Sequence, residues 1–443
     1  MKFRAMTMTS PGNRQTSYRC QTRFGALIPL LTSVITILPV IAINGAAQEH
    51  TAYSVLYNFI GGVDGGSPAA GLIQDETGNL YGTTYSGGSY ANGVVFKLAR
   101  SGEESVLYTF TGGADGGSPQ DSLVRDEGGN LYGTTMAGGV GCGVVFKLSP
   151  SGHETVLYTF SSPNPPFCGP DGGGPIGGLI RDEVGNLYGT TGYGGNESSS
   201  CPFGSSGCGV VFKLDTRGRE TVLYTFSGGA DGSSPQAGLI RDAAGNLFGT
   251  AQFGGNISAP NCLTYGCGVV FKLDRWGRET VLHAFTGGAD GSSPYAALVQ
   301  DAAGNLYGTT GYGGNGSSSS CIGCGVVFKL DRWGRETVLH AFTGGADGGQ
   351  PFAGVVGEDG LHGRDLYGET FLGGNVSGSC PPFGCGVVFK VDASGRETVL
   401  HTFSGTDGAF PVFGSLLPYE NSLYGTASGG GDSGAGVVFR VGP

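Results

Sequence analysis

Short apolar runs, five to eight residues long, recur along the chain and are bounded by Gly, Asp and Asn. Four of them follow one another in a fixed order. The first reads P-x-A-G-L-I-R-D, the second G-N-L-Y-G-T-T, the third G-V-V-F-K-L and the fourth E-T-V-L-Y-T-F. Each is rich in Val, Leu, Phe, Tyr and Thr, which predicts a β-strand. The connection Asp182-Glu183-Val184-Gly185-Asn186 is a tight turn, because Gly and Asn accept positive φ, and Asp331-Arg332-Trp333-Gly334 is another. Outside the apolar N-terminal stretch, no segment has helical periodicity. One unit is therefore a four-stranded antiparallel meander, with strands labelled A to D in the order given.

The unit repeats seven times. Gly-Val-Val-Phe starts at Gly93, Gly143, Gly209, Gly268, Gly325, Gly386 and Gly436, and Val-Leu-Tyr/His starts at Val55, Val106, Val156, Val222, Val281, Val338 and Val399. Seven copies of four short strands predict an all-β, seven-bladed β-propeller. The copies are out of phase with the chain ends. An orphan D run occupies residues 54–59, and the last copy stops after its C run near Val441. Pairing the two completes the seventh blade and leaves no open sheet edge. The expected blades span about 68–110, 119–160, 175–226, 235–285, 294–342, 351–403 and 411–441, the last joined by 54–59, within a single domain of residues 48–443.

The D-x-x-G-N-L-Y-G-T and G-V-V-F-K-L phrases resemble the GloVer (Gloeobacter/Verrucomicrobia) tandem repeat of exported bacterial proteins, over about residues 54–441. The first phrase also resembles repeats of sensor-type propellers. The resemblance implies export and surface display, and no particular chemistry.

Composition sharpens this picture. The 443 residues include 89 Gly, placed between apolar runs as turn residues, and 13% are charged. Residues 1–47 carry Lys2, Arg4, Arg14, Arg19 and Arg23 and no acid, then an apolar stretch over about 25–43, then Gly45, Ala46 and Ala47. This is the layout of a signal peptide, cleaved after Ala47 or retained as an N-terminal anchor, the one membrane contact expected. The formal charge of −11 becomes −16 without that segment, with 19 basic against 35 acidic residues. Such a surface repels phosphate backbones, which argues against a nucleic-acid partner.

Eight of the 11 cysteines form local pairs just before Gly-Val-Val-Phe: Cys201 with Cys208, Cys262 with Cys267, Cys321 with Cys324, and Cys380 with Cys385. In an exported protein these read as disulfides pinning the B–C loops. B–C and D–A loops leave a meander at the same end, so Cys142 and Cys168 are expected to form a fifth bridge. Cys20 departs with the leader. Metal or redox use would need ligands converging from separate blades.

Several residues are candidates for chemistry. Every D–A loop has an Asp-Gly: Asp64, Asp115, Asp171, Asp231, Asp290, Asp347 and Asp407. These are weak Ca²⁺ candidates, since an Asp commonly caps its own turn. Tyr193 with Asn196, Phe253 with Asn256, and Tyr312 with Asn315 pair an aromatic face with an amide in the long B–C loops, a combination suited to sugar rings. Trp276 and Trp333 lie in C–D turns at the other end and could anchor a partner. Blade 6 departs most from the repeat, so Glu358, Asp359, His362 and Glu369 are where catalysis would be sought. The expected function is an exported, non-enzymatic binding or display module for carbohydrate or a cell-surface protein, acting as a monomer without cofactor. A secreted polysaccharide hydrolase or lyase is the first alternative, and a protein-interaction scaffold the second.

Overall fold

The computed structural model describes residues 52–442 except 164–166, 196–199, 203–205, 263, 315–320, 322, 358–364, 376–379 and 381. All of them belong to one unit, His50–Pro443. They form seven antiparallel sheets of four strands each, with A paired to B, B to C and C to D. The seventh sheet has the order β1 (Tyr53–Asn58), β28 (Val437–Val441), β27 (Ser422–Ala427) and β26 (Leu417–Tyr419). The N-terminal strand thus supplies the missing D strand and closes a seven-bladed propeller.

The closing strand begins one residue earlier than the repeat phase indicates. Tyr53 pairs with Val441, stacks on the His401 ring at 3.5 Å and donates its hydroxyl to the Asp407 carbonyl at 2.5 Å. Strand A is also shorter than its sequence run. Its ladder covers two residues in the first six blades, as at Ile73–Gln74. The preceding residues hold a Pro with no amide to donate and line the centre of the ring instead of pairing.

The turn phrase D-x-x-G-N-L-Y has a direct physical reading. Asp182 accepts hydrogen bonds from the Asn186 amide at 2.8 Å, the Asn186 side chain at 2.7 Å and the Tyr188 hydroxyl at 3.0 Å. Gly185 between them sits at φ 98°, where a side chain would be strained. The apolar run of strand C follows from its place in mid-sheet, covered on both faces: Val94, Val95 and Phe96 are all fully buried.

The core lies between blades. At each seam a Phe ending one D strand meets the strand-C Phe of the next blade edge-to-face. Phe59–Phe96, Phe110–Phe146 and Phe226–Phe271 have ring centres 5.2, 5.1 and 5.1 Å apart. Each ring buries roughly 2–3 kcal/mol of hydrophobic free energy, and the edge-to-face geometry adds ~0.5–1.5 kcal/mol. The glycine of L-Y-G-T is the floor of this packing, since a Cβ on Gly82 would lie 2.7 Å from the Phe96 ring.

Around the outside, each seam carries a polar station. The D-strand Tyr or His faces the Asp of its own D–A loop, as in Tyr108–Asp115 at 3.0 Å and His401–Asp407 at 3.0 Å. Beside this pair sits the first Glu of the next D strand, and burial with the nearby Asp115 charge pushes Glu154 up to about 7. In the seventh blade Tyr53 takes the place of that glutamate.

All five expected disulfides form: Cys142–Cys168, Cys201–Cys208, Cys262–Cys267, Cys321–Cys324 and Cys380–Cys385. The first joins a B–C loop to a D–A loop, so both loop sets emerge at one end of the ring. The A–B and C–D turns share the other end, where Arg100 bridges to Glu420 at 2.8 Å.

Candidate functional site

Two or three residues beyond the D–A prolines the chain converges on the centre, and the third residue is Gly, Ser or Ala in every blade. A Cβ on Gly414 would lie 2.4 Å from the Gly71 nitrogen, and one on Gly177 would lie 2.6 Å from the Ala237 carbonyl. Strand B stitches these segments together from behind. Thr190, Thr309 and Thr426 donate their hydroxyls to the carbonyls of Ala237, Ala353 and Ala70 in the following blade, each at 2.9 Å.

At the loop-bearing mouth of this channel the blades stop being alike. Blades 5 to 7 place Tyr295, Tyr312, Phe352, Phe371 and Phe410 in an unbroken chain of ring contacts. Phe352 lies 4.9 Å from Tyr295, 5.8 Å from Tyr312 and 5.6 Å from Phe371, which lies 5.3 Å from Phe410. All five rings are half-buried, so one side of this crescent meets solvent. Blades 1 to 4 have Ala69, Gln120, Ile176 and Gln236 where blades 5 and 6 have Tyr295 and Phe352.

The backbone holds the crescent through strained residues. Gln350 and Phe410 adopt φ 55° and 56°, a conformation uncommon for side-chain-bearing residues. Each is clamped from both sides. The Phe410 amide donates to the Cys385 carbonyl at 2.9 Å, and the Gln350 amide donates to the Cys324 carbonyl at 2.7 Å while its carbonyl accepts from Phe371 at 3.1 Å. Ser293 is held in the same way by Cys267 at 2.7 Å. Three disulfides therefore set the mouth positions of the three aromatic blades. The same conformation recurs at Ser67, Ser118 and Ser234, so it belongs to the repeat and the crescent is built upon it.

Inside the mouth lies a cavity of about 170 Å³ whose lining includes Asp121, Ser122, Gln236, Tyr295, Phe413 and Ser415. Asp121 is the one ionisable carboxyl in that lining. It stands where blades 1, 4, 5 and 6 have Ala70, Ala237, Ala296 and Ala353. Its carboxyl accepts from the Ser122 amide at 2.5 Å and from the Gly178 amide of the next blade at 2.6 Å. Burial pushes its pKa up to about 6, against the lowering effect of those two donors. Gln252, also at the mouth, donates its amide to the Tyr295 hydroxyl.

The residues singled out from sequence fall in different places. Tyr312 joins the crescent. Phe253 is 9% exposed, and the Tyr193 ring lies against Gly174 of the D–A segment. Asn256 accepts from the Ser258 amide at 3.3 Å within its own loop. Asn196, Asn315, Glu358, Asp359 and His362 lie outside the described residues. The D–A aspartates cap their loops from the periphery, Asp231 accepting from the Ser227 amide and Asp290 from the Thr286 amide at 2.8 and 2.9 Å. Asp64, Asp115, Asp171, Asp347 and Asp407 do the same at 2.7–2.9 Å. Among the described residues no three His, Cys, Asp or Glu side chains are grouped as metal ligands. Trp276 and Trp333 are 68% and 66% exposed in the C–D turns, each flanked by two arginines: Arg275 and Arg278, and Arg332 and Arg335.

Glu369 occupies the stitching position of strand B in blade 6, where the other blades have Thr. It is 2% exposed, and its Oε1 atom has no hydrogen-bond partner among the described residues. Burial raises its pKa well above the usual carboxylate value. A carboxyl with a raised folded pKa contributes stability that is complete below the unfolded pKa and is lost as pH rises. Glu369→Thr is therefore expected to stabilise the fold by about 1–3 kcal/mol at pH 8 and by much less at pH 4. Chemical denaturation at the two pH values measures this, and an equal gain at both would contradict the assignment.

Comparison with known proteins adds the family. A luciferin-regenerating enzyme shares 12% identity over 89% of this chain and 95% of its own, with a TM-score of 0.40. A gluconolactonase from Xanthomonas campestris shares 12% over 88% of this chain and 89% of its own, with a TM-score of 0.39. Likenesses so distant carry no argument about activity. No curated protein matches the chain. The Gloeobacter/Verrucomicrobia repeat, in contrast, matches residues 46–255, 199–378 and 314–443. With its motifs repeated through all seven blades, the chain belongs to the Gloeobacter/Verrucomicrobia repeat family.

Proposed function

We propose that the protein is a binding module that takes a carbohydrate chain across the aromatic crescent at the loop-bearing mouth of the channel. The observation that carries this reading is the asymmetry of the ring. At the position after the loop proline, blades 5 and 6 have Tyr295 and Phe352 where blades 1 to 4 have Ala69, Gln120, Ile176 and Gln236, although blades 1, 3 and 4 carry Tyr85, Tyr193 and Phe253 in their B–C loops. Three neighbouring blades supply five half-exposed rings in continuous contact, with a Gln amide and a carboxylate within the same mouth. Flat apolar faces beside a few polar groups match the C–H faces and hydroxyls of sugar rings. The five disulfides and the family fit an exported protein, which would meet such polymers.

Cleavage of a glycosidic bond uses a pair of carboxyls. Among the described residues, this cavity offers Asp121 alone, so binding without turnover is the better reading.

The test is a glycan array and calorimetry with the purified protein and its Phe352→Ala, Tyr312→Ala and Trp276→Ala variants. Phe352→Ala is expected to weaken binding at least tenfold, about 1.4 kcal/mol. Trp276→Ala, at the far end, should change nothing. A parent protein that binds no glycan overturns the reading. Dependence on Trp276 instead would transfer the function to the Arg-Trp turns.

A further inference from the structure

The basic residues of this ring are sorted by end, while acidic residues stand at both. Among the described residues, every lysine and arginine sits in or beside an A–B or C–D turn, or at the end of a C strand. Lys97, Arg125, Lys213, Arg275 and Arg332 are typical. The B–C and D–A loops contain no Lys, Arg or His anywhere in the sequence, yet each D–A loop carries an Asp. The loops at the crescent end therefore carry acids and no Lys or Arg, with the D–A aspartates at the periphery and Asp290, Asp347 and Asp407 facing His283, His340 and His401. An end of the molecule whose loops carry one sign of charge raises the local concentration of ligands of the other sign.

Asp121 brings that sign into the channel itself. Each carboxylate oxygen accepts one backbone amide, at 2.5 and 2.6 Å, and keeps a further lone pair. No cation lies among the cavity-lining residues, which are otherwise apolar or neutral. Tyr295 belongs both to the crescent and to this lining, so a chain lying on the crescent passes the opening to Asp121.

We propose that the carbohydrate bound here is a polycationic glycan carrying free primary amino groups, with one ammonium group seated against Asp121. This rests on the crescent being a sugar site. It excludes uronic-acid and sulfated polymers, which would find no cation at this end to pair with. An uncharged polymer would leave the buried carboxylate unmatched.

The probes are a β-linked glucosamine hexamer and its fully N-acetylated counterpart, which share a backbone and differ in charge. At pH 7 and moderate salt the parent protein is expected to bind the glucosamine hexamer at least tenfold more tightly than the acetylated one. Asp121→Asn should bring the affinities of the two hexamers to within about twofold of each other. Asp121→Ala, which restores the residue of four other blades, should do the same and guards against a folding defect. Equal binding of both hexamers with continued dependence on Phe352 would overturn the charge proposal and leave the crescent standing. Binding of neither hexamer, or tighter binding of an anionic oligomer, would overturn the proposal outright.

Discussion

A chain lacking residues 53–59 is expected to lose the cooperative fold altogether, whereas one trimmed only to residue 51 should melt as the parent does. The segment has two structural roles. As β1 it forms the outer ladder of the seventh blade, pairing Tyr53 to Val441 through Asn58 to Val437. It also ends in Phe59, fully buried, whose ring meets Phe96 at 5.2 Å and forms the first half of the seam between blades 7 and 1. Its removal leaves β28 as a free edge and strips one side from a hydrophobic seam. Ladder bonds at ~1 kcal/mol each, a buried Phe at ~2–3 kcal/mol and the exposed apolar seam together reach the ~5–15 kcal/mol that keeps a whole domain folded. Differential scanning calorimetry of the two truncations measures this. A sharp transition for the shorter chain within a few degrees of the parent would show that the ring does not depend on its closing strand.

Thermal stability is expected to peak near pH 4–5 and to decline steadily toward pH 8. Burial, reinforced by the Asp of the neighbouring loop, raises Glu104, Glu154, Glu220 and Glu279 to about 7, from an ordinary value of 4.5. Burial does the same to Glu397, with His340 working against it and Asp347 for it. These folded-state values lie above the unfolded ones. The stabilisation is therefore complete below about pH 4.5 and is lost as pH rises through about 7. The aspartates act in the opposite sense. Burial opposes ionisation of Asp115, Asp290, Asp347 and Asp407, but hydrogen bonds from neighbouring Thr, Ser, Tyr and His side chains outweigh it and lower them. Their contribution is lost only as pH falls below the usual carboxylate range. Partial exposure reduces each glutamate to ~1 kcal/mol, so five of them shift the melting temperature by on the order of 10 °C. Melts across pH 3.5–8.5 decide the matter. Glu220→Gln combined with Glu279→Gln should flatten the decline, and a parent profile that rises from pH 5 to pH 8 would contradict the seam assignment.

Sequence repetition made the scaffold legible because each phrase has one physical job. D-x-x-G-N-L-Y is an Asp-capped turn, and G-V-V-F-K-L is a strand covered on both faces. The phase of the ends placed β1, off by one residue because Tyr53 replaces the usual glutamate and the repeat could not flag it. The bridge between Cys142 and Cys168 followed from which loops share an end. The crescent was largely hidden. Tyr295, Phe352, Phe371 and Phe410 stand at positions that vary between copies, and only closure of the ring makes them neighbours. Reading each B–C loop by itself singled out Tyr193, Phe253 and Tyr312 alike and could not show that Tyr312 touches Phe352. Asp121 was visible as a break in P-x-A-G-L, and a column-by-column comparison of the seven copies at the channel would have found it. Attention to the most irregular blade led instead to Glu369, a buried group.

The sorting of charge also gives the molecule an electric dipole along the ring axis. The turn end holds more acidic than basic side chains, so an anionic wall repels both ends, the loop end more strongly. A cationic surface or polymer is drawn instead to the open mouth first, within roughly a Debye length, about 8 Å at physiological salt.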